Sequence, residues 1–478
     1  MLRHANHCHS DAMSSHRIER DSLGEVQLPA TALYGAQTQR AIDNFRISGQ
    51  PLPRPFLRAL GLIKAACAHA AGVLGHLPLA RAQAIEAAAL AVAAGDHDAE
   101  FPIDVFQTGS GTSSNMNANE VIAALASRSL GSSVHANDEV NFAQSSNDVI
   151  PSAIQVGAAL LLEEGLRPSL KRLRSSIEQR ASGLQAVVKT GRTHLMDAMP
   201  ITLAQEFGCW AAQLASCDER LRDVEKRLTR LPLGGTAVGT GINAPDEHAG
   251  LAIGWLAAHT PCAFEPAPNR FEGIAGQDVA VELSGQLKTL ACVLMKIAND
   301  LRWMNSGPLG GLGEIELPAL QPGSSIMPGK VNPVIPEAVA MVAAQVIGND
   351  AAISVAGASG NFQLNVMLPL VARNLLESLQ LLAAAMEHLA RHCIDGLSVR
   401  QDRLQQTLAR NPILVTALNP ILGYERAAAL AKQAYREGRP ILDVVAEATG
   451  MPRAELAALL DPLKLTQGGI RDGLAGGG

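Results

Sequence analysis

Residues 203–231 read LAQEFGCWAAQLASCDERLRDVEKRLTRL. Leu203, Phe207, Trp210, Leu214, Cys217, Leu221, Val224, Leu228 and Leu231 follow one another in alternating steps of 4 and 3 residues. That spacing puts every apolar side chain on one stripe of a single long helix, as in a left-handed bundle. A helix of about 28 residues is roughly 42 Å long, more than a small domain spans. It must be buried along its length by other helices or other subunits. Val279, Leu283, Leu287, Leu290, Leu294, Ile297, Leu301 and Met304 repeat the pattern with one irregular step. The many alanines permit close helix approach and point to packing between subunits. The spacing therefore predicts a mainly α fold with a central bundle made by oligomerisation.

Composition points the same way. A chain of 478 residues is too long for one ordinary core, so two or three domains are expected. It is 47% hydrophobic and 18% charged, which is globular, and only 3% aromatic. The core must then be built from Ala, Leu, Val and Ile, which suits closely packed helices. A net charge of -6 without a Lys/Arg run offers no basic face to nucleic acid. Any anionic ligand has to be held by local groups rather than by a global field. The cysteines are Cys8, Cys67, Cys209, Cys217, Cys262, Cys292 and Cys393, with no C-x-x-C pair. This predicts buried thiols in a reducing cytosol rather than an iron–sulfur or zinc site. No unbroken apolar run reaches membrane-spanning length, and the N-terminus lacks the apolar core of a signal peptide. His4, His7, Cys8, His9 and His16 suggest a metal cluster, but a disordered, tag-like leader over residues 1–16 is the expectation, with a disordered Gly-rich tail at 475–478.

Working outward from the seams, residues 17 to about 50 mix short extended pieces with Gly and Pro. The Ala/Leu-rich stretch from about 56 to 95 reads as two helices broken near Gly75 and Pro78. Asn-Pro at 411–412 and 419–420 interrupts the helical pattern, and shorter helices follow at Glu425–Glu437, Ile441–Ala448 and Arg453–Leu460. Three domains are expected, at 17–148, 149–397 and 398–478.

Three polar segments stand apart from this helical background. The first is Gln107-Thr108-Gly109-Ser110-Gly111-Thr112-Ser113-Ser114-Asn115-Met116-Asn117, with Gln144-Ser145-Ser146-Asn147-Asp148 downstream. Gly-rich turns with hydroxyls and amides can form an anion nest without net charge; a Ser/Gly surface loop is the plain alternative. No Gly-Lys-Ser/Thr follows, so it is not a P-loop. The second is Gly191-Arg192-Thr193-His194-Leu195-Met196-Asp197-Ala198, just ahead of the first long helix. The third is Gly323-Ser324-Ser325-Ile326-Met327-Pro328-Gly329-Lys330-Val331-Asn332-Pro333, with Glu337 starting a helix after Pro336. It gathers two hydroxyls, a fixed cation and an amide on one flexible loop, as an anion site closing over a small acid would. Gly239-Thr240-Gly241-Ile242-Asn243-Ala244 fits a loose dinucleotide pattern but lacks the strand–helix–strand surroundings that nucleotide binding needs.

The third segment resembles the signature loop of the fumarase/aspartase superfamily. The resemblance covers nearly the whole chain, from Arg20-Asp21-Ser22-Leu23-Gly24 through Gly35-Ala36-Gln37-Thr38-Gln39-Arg40 to Gly423-Tyr424-Glu425. Its wording is closest to class II fumarases. Aspartases typically carry Gly-Gly-Ala where this chain has Thr108-Gly109-Ser110, and some have Gln at His194. Pro333-Val334-Ile335-Pro336-Glu337 leans the other way, since aspartase-like loops share it.

The resemblance implies a three-domain fold whose long bundle is shared by a homotetramer, with active sites drawn from three subunits and no metal or organic cofactor. It implies reversible hydration of fumarate to (S)-malate, a tricarboxylic acid cycle reaction, in the cytoplasm. Aspartate ammonia-lyase is the rival chemistry, and a non-catalytic structural or binding protein of the same fold is the rival class. Ser324 resembles the base that removes the carbon-bound proton, and His194, paired with Glu337, the group that activates water. How the proton work divides between them stays open. Ser110, Gly111, Thr112, Ser145, Ser146, Asn147, Thr193, Ser325, Lys330, Val331 and Asn332 match substrate-binding positions. His135, Ala136, Asn137 and Asp138 match a second, surface dicarboxylate site. The basic stretch that precedes it in many fumarases is replaced here by Leu130-Gly131-Ser132-Ser133.

Overall fold

Both apolar seams become long helices in the computed structural model, which describes residues 16–469. The expected leader (save His16) and the Gly-rich tail lie outside the described residues. In the first helix, Leu203, Phe207, Trp210, Leu214, Cys217, Leu221, Val224 and Leu228 are all buried. It ends at Leu228, one repeat earlier than the spacing predicts. Leu231 is still buried, but in a two-residue strand paired with Glu265–Pro266. In the second seam Ala280, rather than Val279, fills the first core position.

Along the chain, a hairpin of β1 (His16–Asp21) and β2 (Gly24–Pro29) leads into α1 (Ala36–Asn44), α2 (Arg54–Val73), α3 (Leu79–Ala94), α4 (Thr112–Leu130), α5 (Ser146–Leu161) and α6 (Arg167–Ser182). A second hairpin, β3 (Val188–Thr193) and β4 (Met196–Thr202), precedes α7 (Leu203–Leu228). Then come α8 (His248–His259), α9 (Arg270–Ala275), α10 (Asp278–Met304), α11 (Val334–Ala358) and α12 (Leu368–Leu389). The expected short C-terminal helices form at Tyr424–Glu437, Ile441–Thr449 and Arg453–Leu459. They share a core of Leu414, Val415, Leu418, Leu430, Val444, Val445 and Leu456.

Two compact units carry the packing, and both are discontinuous in sequence. Unit 1 takes the chain up to residue 166 with 220–288 and 345–381; unit 2 takes 167–219, 289–344 and the chain from 382 onward. Helices α7, α10, α11 and α12 each contribute residues to both. The divisions at 148 and 397 expected from sequence are linear, whereas these units are not.

Among the described residues, three helical stretches are long and apolar enough to cross a membrane, although no unbroken apolar run is apparent in the sequence. Single polar residues such as Lys64 and Gln345 interrupt them, so only mean hydropathy reveals them. Arg54–Val73 and Ser146–Ser182 bury 72% and 78% of their apolar windows within the protein. Val334–Ala358 buries only 33% and exposes Met341 and Val355.

Candidate active site

Both stretches of the first polar segment, 107–117 and 144–148, lead into helix N-termini, where unpaired N–H groups favour anions. Gly111 precedes α4 and Ser145 precedes α5. Gly109 has no alternative, because a Cβ there would lie 1.8 Å from the Val366 carbonyl oxygen. Ser110 and Thr112 hydroxyls are 2.8 Å apart and hydrogen-bonded. Ser145 Oγ accepts the Asn147 N–H at 3.2 Å, while Asp148 accepts the Ser145 N–H at 3.0 Å, a capping box. Asp148 also accepts the N–H groups of Gly234 and Thr236 at 2.8 and 3.0 Å. Its complete burial raises its pKa, against the pull of those donors. Asn147 Nδ2 donates to the Ala237 carbonyl at 2.8 Å. The loose dinucleotide run Gly239–Ala244 thus follows a loop that braces the start of α5.

The two stretches are joined to each other. Asn115, on α4, donates through Nδ2 to Ser146 Oγ at 3.2 Å and to Asn141 Oδ1 at 3.1 Å. Asn141 Oδ1 also accepts from Asn119 at 3.1 Å and from Lys64 Nζ at 3.0 Å. Ser110 and Ser146 are buried.

His194 occupies a different setting. It lies not in a helix lead-in but at the tip of the β3–β4 hairpin, where it and Leu195 form a two-residue turn. Both have positive φ, 57° and 61°, the signature of a type I′ turn usually given to Asn-Gly. Thr193 and His194 are exposed. Below the tip the hairpin is clamped by buried charge. Lys189 Nζ donates to Glu206 at 2.7 Å and to Glu314 at 2.6 Å, and Arg192 donates to the other Glu314 oxygen at 2.7 Å. Lys189 and Glu314 are 3% and 4% exposed. Asn411 Nδ2 adds a bond to the Ala198 carbonyl at 2.9 Å.

The signature loop closes on itself. The Gly323 N–H donates to the Lys330 carbonyl at 2.8 Å, and Asn332 Nδ2 donates to the Gly323 carbonyl at 2.8 Å. A Cβ at Gly323 would meet that Lys330 oxygen at 2.6 Å. Within the loop, the backbone N–H groups of Ile326 and Met327 donate to Ser324 Oγ at 3.2 and 3.0 Å. Two such donors favour negative charge on that oxygen. Ser325, Lys330 and Val331 are exposed. Lys330, Val331, Asn332 and Glu337 line a cavity of about 590 Å³ with Arg302, Trp303 and Arg400. Glu337 lies in the first turn of α11, which begins at Val334, ahead of Pro336. Among the described residues, no hydrogen bond joins His194 to Ser324 or Glu337.

His135 caps a short π-helical turn, Ala136–Val140, its Nδ1 accepting the Asp138 N–H at 3.0 Å. His135, Ala136 and Asn137 line a surface basin of about 1120 Å³. The sequence just before Val134 offers no cation, but Arg128, at the end of α4, lines the same basin.

Lys64, Asn141 and Glu314 are the residues that sequence reasoning missed. The available signal for Lys64 was a single charge in the apolar run Gly61-Leu62-Ile63-Lys64-Ala65-Ala66.

The lyase family profile matches residues 24–348, and the fumarase C C-terminus profile matches residues 414–467. A class II fumarate hydratase from Xylella fastidiosa (strain Temecula1) is 64% identical over 97% of this chain and 98% of its own length. A second, from Pseudomonas aeruginosa, is 61% identical over 96% of this chain and all of its own, 100%. The crystal structure of class II fumarase from Schistosoma mansoni superimposes with a TM-score of 0.90 at 34% identity, covering 94% of this chain and 99% of that one.

Proposed function

The chain belongs to the lyase family, in its class II fumarate hydratase branch, and we infer that it interconverts fumarate and (S)-malate, a step of the tricarboxylic acid cycle. The observation that carries the chemistry is Ser324 Oγ accepting two backbone N–H groups. A neutral serine is a poor base, and these donors stabilise the alkoxide that could take a carbon-bound proton. In the dehydration direction Ser324 removes the proton next to a carboxylate of malate. Charge then builds on that carboxylate, and Lys330, Asn332 and Ser325 provide the donors that meet it. Ser110, Gly111, Thr112, Ser145, Ser146, Asn147, Thr193 and Val331 hold the dianion. His194, with Glu337, handles the departing hydroxyl as water and activates water in the reverse direction.

We assign the working form to a homotetramer of about 200 kDa, four times the 50.1 kDa chain, with each site drawn from three subunits. The lack of any hydrogen bond from His194 to Ser324 or Glu337 among the described residues, and the exposed Met341 and Val355 of α11, support this reading. None of the six described cysteines forms a disulfide, and Cys209 and Cys292 are exposed rather than buried as expected; thiols of this kind suit a reducing compartment, the cytoplasm. The basin beside His135, with Arg128, is the place for a second dicarboxylate. The test of function is the absorbance of the fumarate double bond. It should appear when the protein meets malate and not when it meets aspartate; appearance with aspartate alone, or with neither, overturns the reading.

A further inference from the structure

Lys64 is fully buried on α2, at 0% exposure. Its ammonium donates to two neutral amide oxygens, Asn141 Oδ1 at 3.0 Å and Gln144 Oε1 at 2.9 Å. Among the described residues it forms no ion pair with a carboxylate. A buried cation without a counter-ion is costly, and an apolar side chain would fill the same place at less expense. Its partners lead straight to the substrate segments. Gln144 adjoins Ser145, and Asn141 reaches Ser146 through Asn115. The side-chain carbonyl oxygens of Asn115 and Asn119, residues 1% and 0% exposed, have no partner in the same network. The segments Ser110–Thr112 and Ser145–Asn147 carry no net charge of their own.

We propose that Lys64 is a positioning residue for dicarboxylate binding: it fixes Gln144, Asn141 and, through Asn115, Ser146, and it places a buried positive charge behind two uncharged anion-binding segments. This rests on the dicarboxylate reading above. Burial pulls the ammonium down to about 7, against the pull of Cys67 on its own helix and Asp148 on α5. His248, on α8, bonds the Cys67 carbonyl. A charge so poorly compensated inside responds strongly to a dianion nearby.

The test compares wild type, Lys64→Met and Asn141→Asp for kcat, KM for fumarate and calorimetric Kd for succinate, a dianion that cannot react. Lys64→Met should raise KM and Kd about tenfold while kcat changes less than about threefold, a split that general loss of structure does not give. Asn141→Asp keeps the ammonium but neutralises its charge, at the loss of the bond from Asn141 Nδ2 to the Gln144 carbonyl at 3.2 Å, and should raise KM and Kd likewise. Folded variants with wild-type KM and Kd, or a loss confined to kcat, would overturn the proposal. So would unfolding of both variants, by circular dichroism, which would assign the network to stability alone. If wild type binds succinate but hydrates no fumarate, the function fails and the Kd comparison still decides the role of Lys64. A wild type that binds no dianion overturns both.

Discussion

The unit 1 segments that we assign to substrate binding and the unit 2 segments that we assign to proton transfer are built in opposite ways. In unit 1, Ser110 and Ser146 are buried at the starts of α4 and α5, and Asn115 of α4 bonds Ser146 and Asn141, the latter also held by Lys64. In unit 2, His194 stands on an exposed hairpin tip, and the signature loop from Gln321 to Val331 is exposed at every position but Gly323 and Ser324. That loop is held largely by its own backbone, with Ile326 83% exposed. The difference suggests a division of labour. The charge-binding groups of unit 1 gain from being fixed before the ligand arrives, whereas the proton-moving groups, with Ser325, Lys330 and Asn332 beside Ser324, sit on elements that must admit substrate and be completed by their surroundings.

The largest expected effect tests whether the hairpin is exposed only at its tip. Glu314→Ala removes one of two carboxylates from buried Lys189 and the partner of Arg192. Breaking such a pair should cost about 3–5 kcal/mol of stability, read from urea unfolding. A cost below about 1 kcal/mol would mean that the clamp does not hold the hairpin. Next, Ser324→Ala and His194→Asn should each lower kcat by roughly 10² or more, the scale of losing a general acid or base. Because both act in one step, the double variant should lose less than the product of the two losses. If either variant instead changed KM alone, the contrast between binding and reactive halves would be wrong.

A smaller effect concerns Lys64. Burial holds its ammonium at about 7, below the ordinary lysine value of 10.5. The unfolded chain therefore binds more protons between these values, and stability rises with pH across that window. Wild type should gain about 1–2 kcal/mol between pH 7 and 8.5 relative to Lys64→Met. Equal slopes in the two unfolding curves would show that the ammonium is not held against its solvation.

Legibility followed the range of the interactions. The seams of α7 and α10 are written in local spacing, and the signature loop in local chemistry, so both were readable. The end of α7 was not, because Leu231 continues the apolar period in an extended strand after the helix has stopped. The hairpin under His194 escaped notice because His194-Leu195 is not a usual type I′ pair. Lys64 could not be assigned, since its acceptors lie 77 and 80 residues away. The two units are equally hidden, because they divide long helices rather than falling between them.

The central claim is that one chain carries fixed binding segments and exposed reactive segments that other copies complete. It is tested most directly by mixing Ser324→Ala with His194→Asn, each inactive alone, after subunit exchange has been established by co-purification of differently tagged chains. The mixture should hydrate fumarate, because a mixed tetramer can draw Ser324 from one chain and His194 from another. Exchanged tetramers that remain inactive would place both residues on one chain, or remove them from the chemistry, and contradict the account.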